Sequence, residues 1–343
     1  MKTYNIKEDR YFTILGSIAL KEDGLKRIPS NELKQLELVN PRAAFLSHNT
    51  AGMQVRFKTN SKKISVKVKL KGLSDMNNMS SLGQSGVDIY VYHKELKEYV
   101  FQKATPYERH LLEYEYDLIN NVKGEFYEYI LNLPLYNSVH EVFLVLDEDA
   151  VIIPFTKNDN NNIVFYGTSI VQGGTVSRAG LLYSNMISRK LDNEIFNFGF
   201  SGVAFLEKEM AHILTKVENP KILIIDAQPN AGVDFRLRDN LEGFIEEFRK
   251  VHKDTKILVC SRISYALDLM DEAVIKQNQF NRNFMENLVN KLRVNDKNIF
   301  YVDGYEVFGD HFYEYTVDGI HPNDLGAKKL ANFYLDQILK HLD

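Results

Sequence analysis

Near residue 161 the hydrophobic period of the chain changes, and one uniform sheet or bundle cannot accommodate both patterns. Before that point apolar and polar residues alternate in runs of strand length. Met53, Val55 and Phe57 alternate with Gln54 and Arg56, and Ile64, Val66, Val68 and Leu70 alternate with Ser65, Lys67 and Lys69. Period two puts one face of each strand in a core. Residues 87–101 read as a hairpin turning at Lys94 and Glu95, and residues 126–133 and 142–146 add strands, with no helical pattern between them. Such a series of short strands predicts a β-sandwich or jelly roll over residues 1–150. After the change, short apolar runs at 163–166, 194–198, 222–225, 257–259 and 299–302 alternate with longer segments of helical character at 180–191, 204–217, 241–251, 272–292 and 325–341. That alternation predicts an α/β domain over residues 161–343, with a five-stranded parallel sheet covered by helices on both faces. Residues 151–160, with a proline and an asparagine cluster, are the expected linker. A length of 343 residues fits two domains better than one, because single cores stop growing well before it.

Charge and cysteine content narrow the partners. Lys plus Arg is 42 against 46 Asp plus Glu, a formal net charge of −4, and no basic stripe is present to track a phosphate backbone. Nucleic acid is therefore not an expected partner. Cys260 is the only cysteine, which excludes an intramolecular disulfide and any zinc site built from two or more thiolates. His212, His252 and His311 lack partner spacing, and His311 with Glu314 makes only two ligands, so neither a metal nor a cofactor is expected. The N-terminal run MKTYNIKEDRYFTIL has no continuous apolar stretch, and nowhere do about eighteen apolar residues run together. The expectation is a cytoplasmic protein with no membrane partner.

Two segments carry residues of chemical interest. IVFYGTSIVQGG, residues 163–174, places Ser169 directly after an apolar strand and before a glycine-rich turn, where open α/β sheets bind ligands. It is neither G-x-G-x-x-G nor a phosphate loop, and Val171 stands where the G-x-S-x-G elbow has glycine. A serine that merely caps the next helix is the plain alternative. DGIHPN, residues 318–323, sets Asp318 three residues before His321. In a tight loop that spacing lets the carboxylate bend onto Nδ1–H, fix the tautomer and leave Nε2 free to take a proton from a serine. A helix-entry loop capped by Asn323, or half of a metal site, would read the same way. Two further features end predicted strands: NFGFSG, containing Gly202, and DAQPN, containing Asn230. A glycine N–H, an asparagine amide and the N–H of Ser169 are the donors an ester hydrolase aims at a developing oxyanion. Taken singly, Gly202 is also an ordinary turn residue and Asn230 an ordinary cap.

In this order, GTS at residues 167–169, Gly202, Asn230 and D-x-x-H at Asp318 and His321 resemble the four blocks of the SGNH (GDSL) hydrolases. SRAGLLYSNMISRKL, NFGFSGVAFLEKEMA, DAQPNAG and TVDGIHPNDLGAKKLA resemble the longer blocks of one subgroup, over about residues 161–340. Members of that subgroup carry an N-terminal β-domain with a GxDLY signature, matched here by Gly86, Val87, Asp88, Ile89 and Tyr90. The chain departs from the family at Thr168, where Asp is usual, and at Gln228, where glycine is usual; Gln228 and Pro229 are placed to reshape the acyl pocket. The resemblance implies a flavodoxin-like hydrolase domain and a serine esterase with Ser169, His321 and Asp318 as catalytic residues. It implies an oxyanion hole of Ser169, Gly202 and Asn230. Members with the added β-domain are frequently carbohydrate O-acetylesterases, so an oligosaccharide or small-molecule ester is the implied substrate. A lipase or lysophospholipase would use the same residues but needs a long apolar groove, and a short-chain thioesterase differs only in its ester. A non-catalytic carbohydrate-binding protein fits less well, because all four blocks are intact. Tyr90, Tyr92, Tyr99, Tyr127 and Tyr129 are suited to stack on sugars, but their alternation favours core packing.

Overall fold

The computed structural model describes all residues except 9, 20–23, 157–160, 192 and 343. Among the described residues ten strands precede residue 155: β1 (Lys2–Asn5), β2 (Thr13–Leu15), β3 (Gln54–Thr59), β4 (Ile64–Leu70), β5 (Asp88–His93), β6 (Glu98–Ala104), β7 (Glu113–Ile119), β8 (Tyr127–Asn132), β9 (Val139–Leu146) and β10 (Ile152–Pro154). They form two antiparallel sheets, ordered β1-β9-β4-β7 and β10-β3-β8-β5-β6, with β2 also paired to β3. Alternation along each strand sends Val66, Val68, Val142 and Leu144 from one sheet against Val55, Phe57, Ile89 and Leu131 from the other, closing a sandwich core. On the outward face of β4, Lys67 pairs with Glu113 at 2.8 Å and Lys69 with Glu141 at 2.9 Å, so the polar half of the period is also matched across strands.

Two expectations need correction. The all-β reading of the N-terminal region misses helices at Ser30–Val39, Pro41–Leu46 and Ser81–Ser85. Asn40 caps the second by accepting the N–H of Ala43, and Pro41 opens it with its φ already set. Leu33, Leu36, Ala43, Ala44 and Leu46 do not enter the sandwich; they pack with Tyr166, Phe198, Phe200 and Met210 of the C-terminal half. The expected linker also contains β10, whose Ile152 and Pro154 pair with Thr59 and Phe57 of β3. Its residues 157–160 lie outside the described residues.

The C-terminal strands β11 (Asn162–Gly167), β12 (Ile195–Gly199), β13 (Pro220–Asp226), β14 (Lys256–Cys260) and β15 (Ile299–Val302) are parallel and ordered β12-β11-β13-β14-β15. This is the flavodoxin-like order, and its switch point lies between β11 and β13. The strands are apolar throughout because both faces are covered. Val164, Tyr166, Leu223 and Ile225 face the helices Lys208–Leu214, Arg236–Arg249 and Glu272–Leu292, while Ile163, Phe165, Ile222 and Ile224 face Tyr183–Ser188 and Asp324–Leu342. Among the described residues no helix is long and apolar enough to cross a membrane.

The GxDLY segment joins the two halves. The fully buried Asp88 carboxylate accepts Arg178 Nη1 at 3.0 Å, the N–H of Gly180 at 2.7 Å and Asn132 Nδ2 at 2.7 Å. Arg178 also donates to the Tyr90 hydroxyl at 2.6 Å. Tyr90 is thus a buried interface residue and Tyr129 a core residue, whereas Tyr92, Tyr99 and Tyr127 are half-buried.

Candidate active site

Register along the parallel sheet brings the motif-bearing loops to one edge. Gly167 is aligned with Gly199 on one side and with Asp226 on the other, so the loops after β11, β12 and β13 leave side by side. The first begins with Thr168, whose Oγ1 accepts the N–H of Ile170 as the cap of a short helix, Ser169–Gln172. Threonine supplies the oxygen that an aspartate would supply for this cap. Ser169 is consequently not the cap; it is the first helical residue, and its hydroxyl is directed to His321.

Ser169 Oγ lies 2.8 Å from His321 Nε2, and His321 Nδ1 lies 2.8 Å from Asp318 Oδ2. The chain from hydroxyl to carboxylate is therefore continuous. The turn that makes it possible is built by Asp318 itself. Its Oδ1 accepts the N–H groups of Ile320 at 3.2 Å and His321 at 2.8 Å, while the N–H of Val317 reaches the carbonyl of His321 at 2.8 Å. Gly319 takes φ +84° at the reversal, a conformation glycine adopts without steric cost. The helix-cap reading of this loop also holds: Asn323 Oδ1 accepts the N–H groups of Leu325 and Gly326, each at 3.0 Å. Burial acts to raise the Asp318 carboxyl, but hydrogen bonds from the His321 backbone and ring and from Asn78 outweigh it and hold the group down at about 2. It is an anion across the working range of an imidazole base.

Gly202 sits in the loop after β12 with φ +78°, exposed, and nothing would lie within 4 Å of a Cβ there. Asn230 lies in the short helix Gln228–Ala231 after β13. Its Oδ1 accepts the N–H of Ala204 at 3.1 Å, which orients the amide and turns Nδ2 the other way. Among the described residues, Asn230 Nδ2 and the N–H groups of Ser169 and Gly202 have no protein acceptor. Gln228 is buried: Nε2 donates to Asn278 Oδ1 at 2.9 Å and Oε1 accepts the N–H of Arg262 at 2.7 Å. Gln228, Pro229, Arg262, Tyr265, Asn278 and Ile320 are among the residues lining a cavity of about 200 Å³ beside the Asp318 turn.

Two contacts come from the N-terminal half and are not foreshadowed by any motif. The Tyr136 hydroxyl donates to the backbone oxygen of Ser169 at 3.2 Å, and Asn78 Nδ2 donates to Asp318 Oδ2 at 3.1 Å. Both are non-local contacts in irregular segments, where neither periodicity nor spacing carries a signal. Beneath the site, Asp226 is buried with the Tyr334 hydroxyl at 2.9 Å, and burial pushes its carboxyl up to about 6.

Comparison with known proteins gives two family matches. Residues 160–340 match the GDSL-like lipase/acylhydrolase family, and residues 2–152 match the N-terminus of the Esterase_SGNH_hydro type. A GDSL-like lipase candidate from Bacteroides ovatus ATCC 8483 is 26% identical, with a TM-score of 0.90 over 99% of this chain and 98% of that one. A salicylyl-acyltransferase from a tetracycline biosynthetic pathway is 17% identical, with a TM-score of 0.79 over 99% and 97%. A family two carbohydrate esterase from Clostridium thermocellum, solved with cellohexaose, is 14% identical, with a TM-score of 0.63 over 85% and 93%. The last two likenesses are of fold. None of the curated proteins compared with the chain matches it.

Proposed function

The chain belongs to the GDSL-like lipase/acylhydrolase family and is a carboxylic ester hydrolase, and from that premise we propose that it removes O-acetyl groups from carbohydrate through Ser169, His321 and Asp318. The observation that carries the catalytic part is the unbroken hydrogen-bonded chain from Ser169 Oγ through His321 to Asp318. Ser169 Oγ attacks the ester carbonyl as His321 Nε2 takes its proton, and Asp318 holds the imidazole by Nδ1 and stabilises its charged form. The tetrahedral oxyanion is met by the N–H groups of Ser169 and Gly202 and by Asn230 Nδ2. Collapse expels the sugar hydroxyl, which takes the proton from His321. Water then attacks the acetyl-serine with His321 again as base, releasing acetate and restoring Ser169.

The carbohydrate part of the proposal is supported by the likeness in fold to family two carbohydrate esterases, one of them solved with cellohexaose. In the cavity beside the site the carboxamides of Gln228, Gln277 and Asn281 donate to Asn278, Gly232 and Val233. Exposed Val233 and Leu267 at the same cavity favour the second reading, a lipase-like substrate with a longer acyl group. Acetate release from acetylated oligosaccharides, measured beside hydrolysis of p-nitrophenyl acetate, butyrate and octanoate, separates the two. Serine-dependent acetate release from the sugars with little octanoate hydrolysis is the expected result. Preference for octanoate would replace the first reading with the second.

A further inference from the structure

We propose that Asn78, delivered by the N-terminal half of the chain, is a positioning residue that fixes Asp318 and thereby the His321 imidazole; this rests on the catalytic reading above. Asp318 receives four hydrogen bonds. Three come from its own turn, from the N–H groups of Ile320 and His321 and from the His321 ring, and would travel with that turn wherever it moved. The fourth, from Asn78 Nδ2 to Oδ2 at 3.1 Å, comes from 240 residues away and, beside the N–H of Ala266 on the Gly319 carbonyl at 3.0 Å, ties the turn to the rest of the molecule. It also lands on the same oxygen that faces His321 Nδ1, so it sets the direction of the remaining lone pair.

The segment bearing Asn78 is held on both sides of it. The buried Gln84 amide closes over the loop: Oε1 accepts Ser74 Oγ at 3.0 Å and the N–H of Met76 at 2.8 Å, and Nε2 donates to the carbonyls of Met76 at 3.0 Å and Met79 at 2.7 Å. Ser80 caps the helix Ser81–Ser85 by accepting the N–H of Gly83, and its hydroxyl donates to the carbonyl of Ser177 across the junction. Met79 is buried in the core that holds Ile170 and Val176. Asn78 is thus presented to Asp318 by a loop anchored through the Gln84 and Ser80 side chains, as a positioning group must be. The N-terminal half backs the site twice, with Asn78 behind the carboxylate and Tyr136 behind the serine.

The test uses the full chain and the variants Asn78→Ala, Asn78→Asp and, as a control, Asn77→Ala at the exposed neighbouring residue. Two readouts are taken: kcat and KM on p-nitrophenyl acetate, and NMR titration of the His321 ring, identified by its absence in His321→Ala. The groups facing the Asp318–His321 pair are Ser169, Asn78 and Tyr265, with the Arg262–Asp268 ion pair behind the Tyr265 ring. None of these changes charge in Asn78→Ala. Removing the amide leaves Asp318 a stronger acceptor for the imidazolium, so the His321 midpoint should rise in Asn78→Ala. In Asn78→Asp, which keeps the shape and adds a second carboxylate, it should rise further, by about one pH unit. In Asn78→Ala kcat should fall roughly three- to tenfold with KM unmoved, the scale of losing one ordinary, partly solvated hydrogen bond. Asn77→Ala should match the wild type in both readouts. Midpoints that stay fixed in both Asn78 variants would overturn the proposal, and so would a rise in KM with kcat unchanged, which would make Asn78 a substrate contact. If the midpoints move as stated while the wild type shows no serine-dependent turnover, the positioning contact stands and the esterase reading fails.

Discussion

Asn230 combines two tasks in one side chain, since Oδ1 holds the loop after β12 through the N–H of Ala204 and Nδ2 is left for the oxyanion. The two are separable by substitution. Asn230→Ala should lower kcat about a hundredfold, near the ~3 kcal/mol of one oxyanion donor, and should also lose stability because Ala204 is left unpaired. Asn230→Asp keeps the acceptor for Ala204 but sets a negative oxygen toward the oxyanion. It should lose at least as much kcat while retaining the wild-type melting temperature, and a lower melting temperature than Asn230→Ala would contradict this division. Asp226 makes a prediction about stability. Its folded-state value of about 6 lies above the ordinary 3.8, so the unfolded chain ionises first as pH rises. Stability from this group is complete below about pH 3.8 and is lost as pH climbs through about 6, by on the order of 3 kcal/mol. Asp226→Asn cannot ionise there. Urea unfolding of the two proteins between pH 4 and 7 should show the wild type losing ground to the variant as pH rises, and parallel curves would show that the carboxyl is not held neutral.

The turn 318–321 is the element on which the site depends, and Gly319 is its weak point. An alanine there would be held at φ +84°, at a cost of about 1–2 kcal/mol, so Gly319→Ala should unfold at lower urea concentration and lose kcat as the turn relaxes. Unchanged kcat would show that the turn tolerates another backbone path. This element was legible in the sequence because the contacts that Asp318 makes with Ile320 and His321 span at most three residues. The parallel strands were legible for another reason: strands buried on both faces read as unbroken apolar runs, and 299–302 matches β15 to the residue. Strand β7 went unread although Tyr114 and Leu118 turn inward, because acids and tyrosines dilute its pattern. The helices at 30–46 were hidden by their shortness and by packing against a sheet far along the chain. Asn78 and Tyr136 could not be read at all, since their contacts close over 240 and 33 residues.

At the scale of the whole molecule, the two halves are built as one body. Arg27, fully buried, donates to the carbonyls of Leu46 and Asn49 in the N-terminal half and to those of Asn197 and Gly199 at the end of β12, so it supports the strand that leads to Gly202. Among the described residues, two of the three cores draw residues from both halves: Leu36 and Leu46 pack with Phe200, and Met79 and Leu135 with Val171 and Leu182. The full chain should therefore unfold in a single calorimetric transition, and two resolved transitions would contradict that unity. Asp88→Ala strands Arg178 at the junction and should cost on the order of 3–5 kcal/mol, lowering that one transition rather than splitting off a second. The central claim is that an acetyl group passes through Ser169 on its way to water. Its most direct test is mass spectrometry of the protein quenched during turnover of an acetylated oligosaccharide, with the Ser169→Ala variant in parallel. The account predicts one acetyl group on the peptide containing Ser169 in the wild type, and in the variant neither acetylation nor acetate release. Acetate release that continues in Ser169→Ala, or an acetyl group carried on a different residue, would contradict it.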